Sequence, residues 1–117
     1  MYFEIPVVDL DRATRFYSEL LGVALERADV DGNQAAFFPM VEGAGVSGAL
    51  MCGESYVPSR DGTRVYLQAG PVETALARAV ALGAKVLYPQ TNVGEMGTVA
   101  EFEDCEGNRI ALHEPAR

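Results

Sequence analysis

His113 is the single histidine of the chain, and it stands in the terminal run "RIALHE" two residues beyond Ala111 and four beyond Arg109. At the spacing of a β-strand these three side chains share one face. The preceding run "GTVAEFED" offers Glu101 at an alternate position, and "TRVYLQA" offers Arg64, Tyr66 and Gln68 in the same way. Near the start, "YFEIPVV" places Tyr2 and Glu4 together. An imidazole beside carboxylates can ligate a divalent metal or move a proton. Arginines can clamp an anionic group through forked, charge-assisted hydrogen bonds. The plainer alternative is one wetted sheet face, with His113 at the end of a strand pairing with Glu4 or Glu114.

Short strands and two helices must position these groups. In "FEIPVV", Phe3, Ile5 and Val7 alternate with polar neighbours, which marks a half-buried strand. Asp9 is placed to cap a helix whose stripe is Leu10, Ala13, Phe16, Tyr17, Leu20 and Leu21, with Gly22 at its end. "VALERADV" and "QAAFFPM" flank Asp31-Gly32, a hairpin-turn signal. The glycine-rich "VEGAGVSG" leads to a strand at "ALMC", and "GESYVPSRDG" is a loop.

The pattern then begins again. "TRVYLQA" is a strand with Val65, Leu67 and Ala69 on its inner face. Pro71 opens a helix carrying Val72, Ala75, Leu76, Ala79 and Leu82, and Gly83 ends it. "AKVLYPQTNV", "GTVAEFED" and "RIALHE" are three further strands. The order β-α-β-β-β therefore occurs twice, in modules over about 1–53 and 63–115 of a single 1–117 domain, since half the chain has too little core to stand alone. The fold class expected is α+β: two βαβββ modules in tandem, forming a partly closed eight-stranded barrel-like cup with helices outside. Tyr2, Glu4, Arg64, Tyr66, Gln68, Glu101, Arg109 and His113 would line the cup, with Phe38, Met51 and Tyr56 as apolar walls.

Composition narrows the partners. A formal net charge of −8 leaves no basic stripe for nucleic acid and no attraction to an anionic membrane. No apolar run reaches the ~20 residues that span a bilayer. "MYFEIPVV" has neither the basic region nor the cleavage pattern of a secretory leader, so a cytoplasmic protein is expected. Cys52 and Cys105 could form at most one disulfide, and free thiols are expected in that compartment.

With these residues in view, "FEIPVVDLDRATRFYSELLGV" and "FEDCEGNRIALHEP" resemble the vicinal oxygen chelate superfamily, which includes glyoxalase I, bleomycin-resistance proteins and extradiol dioxygenases. The resemblance spans the chain and implies a homodimer and a small-molecule ligand. It also implies one metal ligand on each of four strands. Their positions here are Tyr2, the neighbourhood of Ala49–Met51, Arg64 and Ala111, where the superfamily uses histidine, glutamine or glutamate. A divalent metal needs nitrogen or carboxylate donors, and a fixed cation such as Arg64 repels it. The expected function is small-molecule binding in the cup without a metal or other cofactor. The alternative is a metal-dependent lyase or isomerase of the glyoxalase type, with Glu4 as base and His113 as acid. In that case Glu4, Glu101 and His113 would form a displaced site for a divalent metal. An extradiol dioxygenase is a third reading, short of the histidine and carboxylate set that iron requires.

Overall fold

The computed structural model describes residues 2–39 and 47–117. The chain divides into two compact units, Met1–Pro58 and Ser59–Arg117, each with one α-helix and one four-stranded sheet among the described residues. The class is α+β. The strands form two separate four-stranded sheets rather than one closed barrel.

The first unit contains β1 (Tyr2–Pro6), α1 (Leu10–Leu21), β2 (Glu26–Val30), β3 (Asn33–Phe37) and β4 (Ser47–Cys52). Its sheet order is β1-β4-β3-β2, with β1 parallel to β4 and the other pairs antiparallel. Helix α1 starts where the Asp9 carboxylate accepts the Arg12 amide at 3.0 Å, and it stops at Gly22 in the left-handed region (φ 67°). Its buried stripe is Leu10, Ala13, Phe16, Tyr17 and Leu20, which packs on β3 and β4. Each large side chain so buried contributes roughly 1.5–3 kcal/mol of transfer free energy. The Asp31-Gly32 turn takes positive φ at both residues (52° and 80°), the geometry that lets Val30 pair with Asn33. β4 begins two residues earlier than "ALMC" suggests, because Gly48 lies opposite Phe3 and lets its ring approach the backbone. Residues 41–46 of the glycine-rich stretch lie outside the described residues.

The second unit repeats the plan with β5 (Val65–Leu67), α2 (Val72–Ala81), β6 (Lys85–Asn92), β7 (Thr98–Glu103) and β8 (Arg109–Glu114). Its sheet order is β5-β8-β7-β6, the same arrangement element for element. Helix α2 buries Val72, Ala75 and Ala79 against β6, β7 and β8. Pro71 cannot cap it with a side chain. Glu114, at the end of β8, instead accepts the Val72 amide at 2.9 Å, a carboxylate at the positive end of the helix.

The turn "DCEGN" between β7 and β8 has a structural role. Asp104 Oδ1 accepts the amides of Glu106 and Asn108, both at 2.8 Å. The Asn108 side chain accepts the Ser59 amide at 3.0 Å. Both residues are buried, and Gly107 supplies the positive φ of 91°.

Candidate functional site

Strand register decides which side chains can meet. In the second sheet Ala111 of β8 is flanked by Tyr66 of β5 and Glu101 of β7. His113 pairs with Val99, and Arg109 with Glu103. Because facing alternates along each strand, Tyr66, Glu101, Arg109, Ala111 and His113 lie on the face opposite the apolar set Val65, Leu67, Phe102, Ile110 and Leu112.

Glu101 is only 6 % exposed, and a carboxylate that buried must be paired. Arg109 Nε donates to Oε1 at 2.5 Å and Arg64 Nη1 donates to Oε2 at 3.2 Å. One carboxylate between two guanidinium groups leaves a net positive charge. Arg64 and Arg109 keep 42 % and 30 % of their side-chain surface exposed. Their remaining guanidinium N–H groups have no other protein acceptor among the described residues. This is a spot to which an anion could be added without rearranging the Glu101 pairing.

His113 is held at both nitrogens. Nε2 lies 2.5 Å from the Met96 carbonyl, which can only accept, so Nε2 carries the proton. Nδ1 is then the acceptor, 3.4 Å from the Gln68 amide nitrogen. The imidazole therefore ties β8 to Gln68 and to the short 3-10 helix Gly94–Met96.

In the first sheet Glu4 pairs with Ala49 and shares its face with Tyr2, Met51, Ala35 and Phe37. The Tyr2 hydroxyl donates to Oε2 at 2.9 Å, and the Tyr56 hydroxyl donates to Oε1 at 3.0 Å. Screening of the phenol from water, together with its bond to the Glu4 carboxylate, pushes the Tyr2 pKa up to about 12. The bond to Glu4 raises the pKa of Tyr56 as well.

The structure corrects one of the three expected apolar walls, Phe38. Phe38 turns to the helix side, its ring centroid 5.9 Å from those of both Phe3 and Tyr17. The ring on the other face is Phe37, whose centroid is 6.4 Å from that of Tyr2. A one-residue difference in strand facing exchanges the two. Met51 is buried in a patch with Ala35 and Ala49, against which Phe37 and Tyr56 pack. Tyr56 adds a hydrogen bond to its apolar contact, and the "GESYVPSRDG" loop gave no periodic signal from which to foresee it.

The superfamily's four ligand positions carry no set of metal donors. They hold Tyr2, bonded to Glu4; the buried stretch Ala49–Met51, which offers no carboxylate; Arg64, bonded to Glu101; and Ala111, fully buried. These residues do not fit a divalent metal. Among the described residues no group of three or more His, Cys, Asp and Glu side chains could hold a metal ion. Of the displaced set, Glu101 is bonded to Arg64 and Arg109 and His113 to Met96 and Gln68 in the second unit, while Glu4 belongs to the first sheet.

A family profile described as a glyoxalase-like domain matches residues 2–113. The chain belongs to that family. Among solved structures, this glyoxalase-like domain is similar to a glyoxalase/bleomycin resistance protein from Streptomyces sp. CB03234, with 29% identity and a TM-score of 0.70 over 97% of each chain. The fosfomycin resistance protein FosX from Listeria monocytogenes is 22% identical with a TM-score of 0.72, covering 99% of this chain and 90% of that one. A glyoxalase/bleomycin resistance protein from Albidiferax ferrireducens T118 shares the fold at 18% identity, with a TM-score of 0.72 over 97% of both chains. No curated protein matches the sequence significantly. No helix among the described residues is long and apolar enough to cross a membrane.

Proposed function

We propose that this glyoxalase-like protein binds a small organic molecule on the polar face of its second sheet, without a metal, and that Arg64 and Arg109 receive an anionic group of the ligand. The observation that carries the proposal is the Arg64–Glu101–Arg109 cluster beside Ala111. Where the superfamily places a ligating carboxylate there is a methyl group. Beside it two arginines present unused donors to solvent, and Tyr66 and Gln68 supply further polar contacts. The cluster is positive in a chain of net charge −8, so it stands out as the place an anion would prefer. Pairing of two copies and a cytoplasmic setting belong to the same proposal.

The test has two arms. Purified protein supplied with nickel, zinc, manganese and iron should retain none of them in stoichiometric amount. Benzoate, as a small carboxylate probe, should bind the native protein and lose affinity in Arg64→Ala. Stoichiometric metal that is lost in Glu4→Ala or His113→Ala would overturn the metal-free reading. Benzoate binding unchanged by Arg64→Ala would overturn the anion site.

A further inference from the structure

The first sheet carries a second arrangement, of opposite sign. The register places Glu4, Ala49, Phe37 and Glu26 in one row across β1, β4, β3 and β2. Neighbouring strands lie about 4.8 Å apart, so roughly 10 Å separates the backbones of Glu4 and Phe37, with only a methyl group between them. Tyr56 and Phe37 rest on the apolar patch around that methyl. The Tyr2 ring stands beside Phe37, tilted 34° to it. A cleft of about 340 Å³ opens next to Tyr2 and Phe37, lined also by Phe38 and Glu26 and not by Glu4 or Tyr56.

We propose that this arrangement is a site for a small organic ammonium ion, with Glu4 as its counter-charge and the rings of Tyr2, Phe37 and Tyr56 as its walls. Glu4 has no basic partner among the described residues. Each of its oxygens accepts one phenol, so the carboxylate is held in one orientation and each oxygen keeps a lone pair. The phenols are donors that stay protonated through neutral pH, and they stiffen the anion without cancelling its charge. A hard metal ion would need several oxygen ligands, and protonated phenols are poor ones. An alkylammonium needs one anion and aromatic faces, and that is the chemistry present. The net charge of −8 raises the local concentration of any cation. This inference does not rest on the anion site of the second sheet.

The test uses the full chain, with choline as probe and its uncharged carbon isostere, dimethylbutanol, as control, followed by nuclear magnetic resonance. Choline should shift the ring resonances of Tyr2 and Tyr56, and the isostere should bind about tenfold more weakly. Glu4→Gln, on an exposed residue, should weaken choline about tenfold, and Phe37→Leu, which keeps apolar volume and removes the π face, should weaken it several-fold. Glu19→Gln, the same charge change on the exposed side of α1, should leave binding unaltered. Equal binding of choline and its isostere would overturn the proposal. So would an unchanged affinity in Glu4→Gln, or a loss in Glu19→Gln as large as that in Glu4→Gln.

Discussion

Ala49 and Ala111 hold equivalent places in the two sheets. Each lies in the fourth strand of its module, paired on one side with the first strand (Glu4 or Tyr66) and on the other with the third (Phe37 or Glu101). Each is fully buried. The duplicated fold thus sets a methyl group at the same place in both sheets, with bonded polar side chains beside it. In one sheet these are an acid between two phenols, and in the other an acid between two guanidinium groups.

The second of these makes stability depend unequally on its members. Glu101 is buried, and its loss leaves two arginines with no anion between them; they can turn toward solvent, which softens the penalty. Glu101→Ala should therefore cost about 2 kcal/mol, below the usual range for breaking a buried pair. Arg64→Ala should cost less than about 1 kcal/mol, because Glu101 keeps Arg109 and Arg64 is partly solvated. Urea unfolding of the two variants checks the order. A greater loss in Arg64→Ala would show that Glu101 is not the centre of the cluster.

The cluster at Glu4 governs alkaline behaviour. Tyr2 titrates near 12 in the folded chain and Tyr56 above its ordinary value of 10. A raised pKa in the folded state means that the folded chain holds its protons longer than the unfolded one. The stabilisation is fully present below about pH 10 and is lost as pH rises through the folded values. Titration of the five tyrosines by tyrosinate absorbance should show two of them moving to lower pH in Glu4→Gln. Superimposable curves for native and variant protein would count against the Glu4 bonds.

Much of this architecture is legible in the sequence. Asp9, Gly22, Asp31-Gly32 and Gly83 punctuate the chain through local backbone requirements, and the structure places helix ends and a turn at each. The facing of Glu101, Arg109 and His113 followed from strand period alone. Their partners did not, because pairing depends on register between strands distant in sequence. Phe37 and Phe38 show the limit most clearly: two adjacent phenylalanines give no alternation from which to choose the inner one. Tyr56 lies in a loop, where no periodicity assigns a direction.

The "DCEGN" turn belongs to the family pattern, and its bonds make it a structural fastener. Asn108 receives the Ser59 amide and lies buried against Asp104. Asn108→Ala should cost roughly 2–3 kcal/mol, since it leaves a polar amide without its partner. Asn108→Asp can still accept from Ser59 but sets a second carboxylate against Asp104, so it should also destabilise, and less so at acidic pH. Denaturant midpoints at two pH values distinguish these effects. A neutral outcome for Asn108→Ala would reduce the turn to a passive connection.

Gly48 offers the sharpest test of packing in the first sheet. It lies opposite Phe3 on the helix side, and a Cβ built there would collide with the Phe3 ring. That ring lies 5.9 Å from the Phe38 ring, tilted 31° to it, so withdrawing it disturbs that contact. Gly48→Ala should lower stability by about 2 kcal/mol, in the range of an overpacked core. Replacing Phe3 by leucine in the same chain shortens the opposing side chain and should recover part of the loss, giving a non-additive double-mutant cycle. Additive losses would mean that the glycine is required by its backbone rather than by the ring across from it.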